Sequence, residues 1–379
     1  MTLRTKRILV FRVGELGDTL IALPSLHAIR NTYPHAHITF LGNVDSNSKN
    51  VTAQQTIPAS GLIDDWLSYS VNRAGWRGLQ SLSLMNRLRK GHFDTLVYLA
   101  PRLRKPKDIR RDLFFFRMAG ITEVIGHHGF NMPIKIAGEP LPEAEHELDH
   151  LLHRLSLSGI EVPQNARIDL RLTSQEKNAA DSWLRSEVNR LEERVLVGIG
   201  PGSKWPSKIW PEERFEEVGL QLIRDYGVYP IVFGGPEDRA LADRLIKSWK
   251  DGAAAAGALT PRESAAALSQ CVLYVGNDTG TMHLAAAVAT PCVAIMSALD
   301  WPGRWVPYGP GHVVLRRSVP CEGCLLKVCD KEGMRCLKMI EVDEVVAACS
   351  QILSLLCTKS KALPVQYRER SDRMPHSID

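Results

Sequence analysis

The residues Gly14–Asp18 place a carboxylate beside two glycines directly after a short apolar run. Glycine lets the backbone approach a ligand closely. Gly17 is therefore a candidate ligand contact, and Asp18, at a strand end near a helix start, is a candidate site residue. An aspartate before a helix is also a common N-cap, and this loop taken alone favours the cap.

A second loop, Gly198–Pro211, combines glycines with a hydroxyl group and ammonium groups. Its backbone N–H groups and Ser203 are donors, and Lys204 and Lys208 supply positive charge, which together suit a phosphate. The glycine spacing is G-x-G-x-G and the helix starts late, near Pro211, unlike a dinucleotide-binding G-x-G-x-x-G. The sequence has no Walker-type phosphate loop. The loop therefore predicts a phosphate site of another kind.

A third loop leads from an apolar run into an alanine-rich helix, with Asp278, Thr279, Gly280 and Thr281 at the turn. The first turn of a helix has free N–H groups and a partial positive charge, which favour a diphosphate. These four residues are candidate diphosphate-binding residues. His283 lies one turn further on, and both a ligand contact and a hydrogen-bonded structural histidine are open for it.

Short apolar runs that alternate with helical patterns indicate βαβ units and doubly wound parallel sheets, an α/β fold. In such sheets ligands bind at the carboxyl ends of the strands, where the three loops fall. Pro24 predicts a kink or a restart in the first helix. The predicted strands are residues 8–11, 37–41, 95–99, 195–199, 229–233, 272–275 and 292–296, and the clearest helices are 211–226, 265–269 and 341–356.

A chain of 379 residues is too long for one ordinary core, so two domains are expected. The same strand-and-helix order restarts at Val195, and the polar stretch 173–193 separates the halves. We predict an N-terminal domain over 1–180, a C-terminal domain over 190–357, and a disordered tail over 358–379. No apolar run reaches the ~20 residues that span a bilayer, and the N-terminus lacks a signal-peptide pattern. A cytoplasmic location is expected.

The net charge of +5 suits solubility, and it also suits acidic partners such as a diphosphate or an anionic membrane surface. Nucleic acid is not an expected partner, because the basic residues form no long stripe with aromatic residues. A local basic cluster can face an anionic acceptor or simply be solvated, and the sequence slightly favours a solvated face. That cluster consists of Arg102, Arg104, Lys105, Lys107, Arg110 and Arg111.

Three segments together resemble glycosyltransferase family 9, the ADP-heptose:lipopolysaccharide heptosyltransferases. They read RVGELGDTLIALPSL, GPGSKWPSKIWPEERF and NDTGTMHLAAA, and the resemblance runs from about Arg7 to about Val346. It implies a GT-B fold, in which two Rossmann-like domains face each other across a cleft. In such a fold the domain over 1–180 would bind the acceptor, and the domain over 190–357 would bind most of the nucleotide-sugar donor. It also implies inversion at the anomeric carbon and no cofactor or metal required for catalysis.

Within this resemblance, Asp18 matches the general base and Lys208 the lysine that faces the donor phosphates. Asp278, Thr279, Gly280 and His283 match the donor-binding loop. Glu237, in the segment Gly234–Glu237, matches a loop near the nucleotide, although an ordinary strand-to-helix turn explains that segment equally well. Residues 45–75, where acceptor contacts are expected, match nothing. Closure of the two domains would bring the base to the donor.

The leading hypothesis is therefore transfer of heptose from ADP-heptose or a similar nucleotide sugar to a lipid-linked or lipopolysaccharide core-type acceptor. A transient contact with the inner face of the inner membrane would go with it. One alternative is a related GT-B transferase that uses another nucleotide sugar for a cell-surface polysaccharide or protein. Another is a non-catalytic sugar-nucleotide binder or cysteine-metal sensor, and the presence of Asp18 and Lys208 argues against it.

Four of the eight cysteines, Cys321, Cys324, Cys329 and Cys336, lie close together in the sequence. This spacing is a candidate structural zinc or iron site. Ordinary reduced thiols are the alternative, since the last two do not form a second C-x-x-C pair. The remaining cysteines, Cys271, Cys292, Cys349 and Cys357, lie in apolar patterns and are predicted core residues.

Overall fold

The protein is described by a computed structural model that covers residues 5–44, 51–58, 61–70, 79–330 and 332–359, without the side chains of 79–80 and 356–359. By its internal contacts the chain divides into two compact units. The first unit is Met1–Ile134 with Ala144–Arg171, and the second is Lys135–Glu143 with Leu172–Asp379. Residues 135–143 and 172–180, which the sequence analysis placed in the N-terminal domain, therefore pack with the second unit.

The first unit is built on a parallel sheet of five strands in the order β3-β2-β1-β4-β5. The central strand β1 is buried along Ile8–Phe11 and pairs in register with β2 and β4, for example Ile8 with Ile38 and with Thr95. Its elements are β1 (Arg7–Arg12), α1 (Leu16–Ile21), α2 (Leu23–Thr32), β2 (His37–Val44), α3 (Ala53–Thr56), β3 (Asp65–Ser70), α4 (Leu79–Gly91), β4 (Thr95–Tyr98), α5 (Pro106–Met118), β5 (Glu123–Ile125) and α6 (Glu147–Ser156).

The second unit holds a parallel sheet of six strands in the order β11-β10-β9-β6-β7-β8. Strands β6 and β9 lie side by side at its centre, so their carboxyl ends bring two of the glycine loops together. Its elements are α7 (Ser174–Glu187), β6 (Val195–Gly200), α8 (Glu212–Tyr226), β7 (Val228–Val232), α9 (Arg239–Trp249), β8 (Ala253–Ala254), α10 (Pro261–Leu268), β9 (Leu273–Asn277), α11 (Gly280–Ala287), β10 (Cys292–Met296), β11 (Val313–Arg316), α12 (Arg335–Lys338) and α13 (Val342–Lys359).

Local sequence signals explain several helix boundaries. Pro24 lies in the first turn of α2, where its missing N–H costs nothing, so the chain restarts there as predicted. Thr173 and Thr260 accept hydrogen bonds from the N–H groups of Glu176 and Glu263, and both helices begin with a capping box. Gly227 ends α8 in the left-handed conformation (φ 63°).

All seven predicted strands are confirmed, because each is a buried, largely apolar run. Six match within two residues of their bounds, and the strand predicted over 37–41 continues to Val44. Four strands carry no such run and were missed: β3, β5, β8 and β11. All four are edge strands, and β5 has only three residues. The predicted tail over 358–379 is wrong at its start, since α13 continues through Lys359, and residues 360–379 lie outside the described part.

Two parallel sheets with helices along the crossovers confirm the predicted α/β fold of two Rossmann-like units. Within the described ranges, no helix combines the length and apolar content needed to cross a bilayer.

Candidate functional site

Asp18 lies in the first turn of α1, directly beyond the end of β1. Its Oδ2 accepts the N–H of Glu15 at 3.0 Å, so the carboxylate does close a capping box. Its Oδ1 lies 3.3 Å from Nη2 of Arg12, whose side chain is nearly fully buried and also binds the Leu99 carbonyl at 2.7 Å. Asp18 keeps about a quarter of its side chain exposed (23%). The cap explains how the carboxylate is oriented, and the exposed part leaves it accessible to solvent.

Gly14 makes this arrangement sterically possible. A Cβ at this position would lie 2.2 Å from Cβ of Asp18, far inside van der Waals contact. The N–H of Gly14 donates to Oδ1 of Asn43, at the end of the neighbouring strand β2, over 2.8 Å. The loop is therefore held by two strand ends and folds tightly over Asp18. Gly17 lies in the same first turn of α1.

In the second unit, the fully buried amide of Asn277 joins two strand-end loops. Its Nδ2 donates to the Pro201 carbonyl at 2.7 Å, and its Oδ1 accepts the N–H of Trp210 at 3.1 Å. Residues 201–211, here called the lysine loop, are thereby held at both ends against residues 277–281, the threonine loop. The sequence analysis did not select Asn277, although an amide directly before the Asp-Thr-Gly turn was a signal that could have found it.

Lys208 and Asp278 come together across these two loops. Nζ of Lys208 lies 2.7 Å from Oδ2 of Asp278, with the two side chains 20% and 7% exposed. Asp278 directly precedes Thr279, the N-cap of α11. The helix N-terminus and the lysine therefore share one location, where their positive charge suits an anionic group.

Trp205 lies between two cations. The Nζ atoms of Lys208 and Lys327 are 5.6 and 5.1 Å from the centre of its ring, which is cation–π range. The turn that carries Lys208 is fixed through Ser207, which donates its N–H to the Lys327 carbonyl at 3.1 Å and its hydroxyl to the Leu326 carbonyl at 2.5 Å. No motif pointed to Trp205 or to Lys327 as site residues, because only the tertiary fold brings the 327 region to the lysine loop.

The hydroxyl groups of the threonine loop form a short chain. Oγ1 of Thr281 lies 2.8 Å from the hydroxyl of Tyr274 and 2.9 Å from Oγ1 of Thr279. Burial raises the pKa of Tyr274, which keeps the phenol protonated and able to donate. Gly200 leaves the space that this phenol fills, since a Cβ there would lie 1.8 Å from the Tyr274 oxygen.

Asp238, rather than Glu237, packs against the lysine loop. A Cβ on Gly202 would lie 2.1 Å from Oδ1 of Asp238, and Oδ2 accepts the N–H of Gly235 at 2.9 Å. Burial, together with the nearby Glu237, raises the pKa of Asp238 against the opposing effects of the Gly235 N–H and Lys204. Glu237 itself is exposed.

The other predicted residues of this unit have the following positions. Ser203 accepts the N–H of Trp205 at 3.2 Å within the lysine loop, and Lys204 is exposed. His283 is 3% exposed and lies in α11, with its ring centre 6.3 Å from that of Trp305. Its burial fits the structural alternative raised from the sequence. The roles assigned to all these residues stay predictions.

The predicted four-sulfur metal site is not formed. Among the described residues, no group of three or more His, Cys, Asp or Glu side chains is placed to hold a metal ion. Cys321, Cys324, Cys329 and Cys336 are free thiols, and burial followed by neighbouring thiols raises the pKa of Cys321. Backbone hydrogen bonds hold this segment instead, for example from the N–H of Gly323 to the Ala298 carbonyl at 2.8 Å.

Three of the other cysteines, Cys271, Cys292 and Cys349, are buried as predicted, whereas the side chain of Cys357 lies outside the described ones.

The solvated-face interpretation of the basic cluster is wrong for two of its members. Arg102 is 4% exposed and its Nη2 lies 3.1 Å from Oε2 of Glu145. Arg104 donates through Nε to Oδ2 of the buried Asp112 at 2.7 Å. The remaining cations are exposed: Lys105, Lys107, Arg110 and Arg111. The sequence analysis did not pair Arg102 with Glu145, because the two residues are 43 positions apart in the chain.

The parallel sheets, with anion-suited loops at the strand ends, define an α/β protein of the class that binds nucleotide-type ligands. Residues 139–335, more than half of the chain, match the family described as glycosyltransferase family 9 (heptosyltransferase). Lipopolysaccharide heptosyltransferase 1 of Pseudomonas aeruginosa is 30% identical over 340 residues, which cover 85% of this chain and 87% of that protein. The chain belongs to glycosyltransferase family 9, which confirms the resemblance and the predicted class, a glycosyltransferase.

Other relatives match in part or at lower identity. Lipopolysaccharide heptosyltransferase 2 of Salmonella typhimurium is 30% identical over 120 residues, so the match spans only 34% of that relative and 30% of this chain. The solved family 9 glycosyl transferase of Veillonella parvula superposes with a TM-score of 0.67 at 24% identity, over 93% of this chain and 98% of that one. An E. coli heptosyltransferase solved with ADP-2-deoxy-2-fluoro heptose has a TM-score of 0.58 at 16% identity, over 91% of this chain and 99% of that one. These two share the fold.

Proposed function

We propose that this chain transfers heptose from ADP-heptose to a lipopolysaccharide core-type acceptor with inversion at the anomeric carbon. Membership of a family described as heptosyltransferase supports the sugar, and the relatives named lipopolysaccharide heptosyltransferases support the acceptor. The solved relative with an ADP-heptose analogue supports the donor. The observation that carries the proposal is the ion pair of Lys208 with Asp278 at the N-terminus of α11, joined by Lys327 across Trp205.

In this proposal the second unit holds the donor. The free N–H groups at the start of α11 bind the diphosphate. The partial positive charge of this helix N-terminus attracts the negative charge of the diphosphate. Lys208 is held by Asp278 so that its ammonium group needs no reordering when the phosphate arrives. Because that pair is neutral overall, Lys204 and Lys327 supply the further positive charge that the diphosphate needs.

Transfer takes place in one displacement. The acceptor hydroxyl attacks the anomeric carbon, the new C–O bond forms on one face, and the bond to the ADP phosphate breaks on the other, which inverts the centre. The proton of the hydroxyl passes to Asp18, which the Glu15 N–H and Arg12 orient. Negative charge grows on the leaving phosphate, and Lys208 with the helix N-terminus stabilises it there.

The first unit then binds the acceptor. A lipopolysaccharide-type acceptor is anchored in a membrane, so the proposal places the protein in the cytoplasm, with a peripheral contact at the inner face of the inner membrane.

The experiment is a thermal-shift series with ADP, GDP and UDP sugars, followed by transfer to heptose-deficient lipopolysaccharide. Only a nucleotide that binds the folded state raises the melting temperature. We expect stabilisation by ADP-heptose above the GDP and UDP sugars, and a product with inverted anomeric configuration by NMR. Stabilisation by a different nucleotide sugar alone would move the proposal to another transferase. Binding of ADP-heptose without any turnover would leave a sugar-nucleotide binder.

A further inference from the structure

The outer face of α5 combines exposed apolar and cationic side chains. Phe114 is 66% exposed and Met118 is 49% exposed. Spacings of three and four residues put Lys107, Arg110, Arg111 and Arg117 on the same side of the helix as these two. We call this set the basic apolar face. The opposite side of α5 carries the buried Asp112 and Phe116.

The adjoining helix α4 extends the same surface. Leu82 is 67% exposed, and Arg87, Arg89 and Lys90 are exposed as well. A groove of about 200 Å³ runs between the two helices, with Met85, Phe115 and Met118 among its lining residues. Together α4 and α5 contain seven Lys or Arg and two Asp, a surplus of five, as large as that of the entire chain.

The orientation of α5 is fixed, so this exposure is not a matter of a loosely placed helix. Asp112 is 2% exposed and accepts hydrogen bonds from the Tyr98 hydroxyl at 2.7 Å and from Nε of Arg104 at 2.7 Å. Tyr98 belongs to β4, so the network ties the inner side of the helix to the sheet. Turning Phe114 inward would break this buried network.

We infer that the basic apolar face, with Leu82, is the surface by which the protein docks on a membrane rich in anionic phospholipid. Exposed Phe, Leu and Met side chains flanked by Lys and Arg are the composition of an interfacial helix, whose apolar groups enter the headgroup region while its cations meet lipid phosphates. The charge favours an anionic membrane over a second copy of this chain as the partner. A second copy would bring a surface with the same surplus of five positive charges, and the two surfaces would repel each other. This inference rests on the proposed function, in which the acceptor of the transferred sugar is linked to a membrane lipid.

The test is cosedimentation of the full chain with vesicles of phosphatidylglycerol and phosphatidylcholine. We expect binding to phosphatidylglycerol-rich vesicles at 0.1 M salt, loss at 1 M salt, and little binding to phosphatidylcholine alone, because the Debye length falls from about 10 to about 3 Å. Each cation near an anionic surface is worth about a fivefold change in affinity. Arg110→Gln with Arg117→Gln should then weaken binding by about 25-fold, and Phe114→Ser with Met118→Ser by about tenfold or more.

Matched controls exist in the second unit. Leu220→Ser removes an exposed leucine (42% exposed) from α8, which is rich in glutamate, and Lys177→Gln with Lys247→Gln removes two exposed cations. Both should bind vesicles as the unchanged protein does. Equal losses in these controls, or full binding by both α5 variants, would overturn the assignment. So would failure of the unchanged protein to bind phosphatidylglycerol at low salt, or a dimer in sedimentation that Phe114→Ser dissociates.

Failure of the proposed function has a different signature. All α5 variants should keep the thermal shift with ADP-heptose, since they lie outside the donor loops. Failure of the unchanged protein to bind vesicles, with donor binding intact, would refute only the docking surface, whereas vesicle binding without any response to ADP-heptose would refute only the proposed donor.

Discussion

Replacing Lys208 by methionine removes the ammonium group that lies 2.7 Å from Oδ2 of Asp278. The carboxylate left behind is only 7% exposed and has lost its cation. Breaking a fully buried ion pair costs about 3–5 kcal/mol, and the partial exposure of Lys208 admits water to the site. We therefore expect a loss of about 1–3 kcal/mol in the free energy of unfolding.

The same substitution should weaken ADP binding by about tenfold to 100-fold, because a charge-assisted contact to phosphate is worth about 1.5–3 kcal/mol. Adding Asp278→Asn to Lys208→Met separates the two effects. With both charges gone, no buried carboxylate is left unpaired, so stability should return to within about 1 kcal/mol of the unchanged protein. Affinity for ADP should stay low, since the lysine is still missing.

Urea unfolding measures the first quantity and calorimetric titration with ADP the second. Lys204→Met is the matched control for the unfolding measurement, and because Lys204 is exposed it should change stability by less than about 0.5 kcal/mol. The reasoning is refuted if Lys208→Met leaves stability unchanged, if the double variant is no more stable than the single one, or if ADP affinity recovers together with stability.

Three further predictions concern other parts of the chain. Asp18→Asn should keep ADP binding and lower turnover by about 10²–10⁴-fold in a coupled ADP-release assay; near-normal turnover would leave Asp18 only its capping role. His150 is fully buried, and burial, followed by the charge of Arg102, lowers its pKa to about 3. The unfolded chain takes up this proton below about pH 6.5 and the folded one does not, so stability should fall with decreasing pH, by about 2–3 kcal/mol at pH 4.5. His150→Gln should flatten this slope and His153→Gln, at an exposed position, should not; equal slopes in both would contradict the assignment. Cys324→Ser should leave the metal content unchanged in elemental analysis, because the described residues place no three ligands together; one zinc or iron per chain that this variant loses would restore the metal site.

The sequence by itself determined the strands that form the centres of both sheets and the loops that follow them. Runs such as Ile8–Phe11 and Cys292–Met296 are apolar throughout, because a parallel strand covered on both sides has no polar side. Since parallel strands end at one edge of the sheet, the order of motifs put the loops of Lys208 and Asp278 at the same edge, and the pairing of β6 with β9 then makes these loops neighbours. The edge strands were beyond this reasoning, because Asp65–Ser70 is partly exposed and lacks an apolar run.

Only the tertiary structure decided which partner each polar side chain has. Arg102 belongs to a charged cluster in the sequence, but it is buried against Glu145, 43 residues further along the chain. Lys327 lies far from the lysine loop in the sequence, yet its ammonium nitrogen is 5.1 Å from the centre of the Trp205 ring. The four cysteines are close in sequence and still form no metal site among the described residues. Ion pairs and sulfur positions depend on distances of a few ångströms between segments far apart in the chain, and local sequence pattern carries no information on those distances.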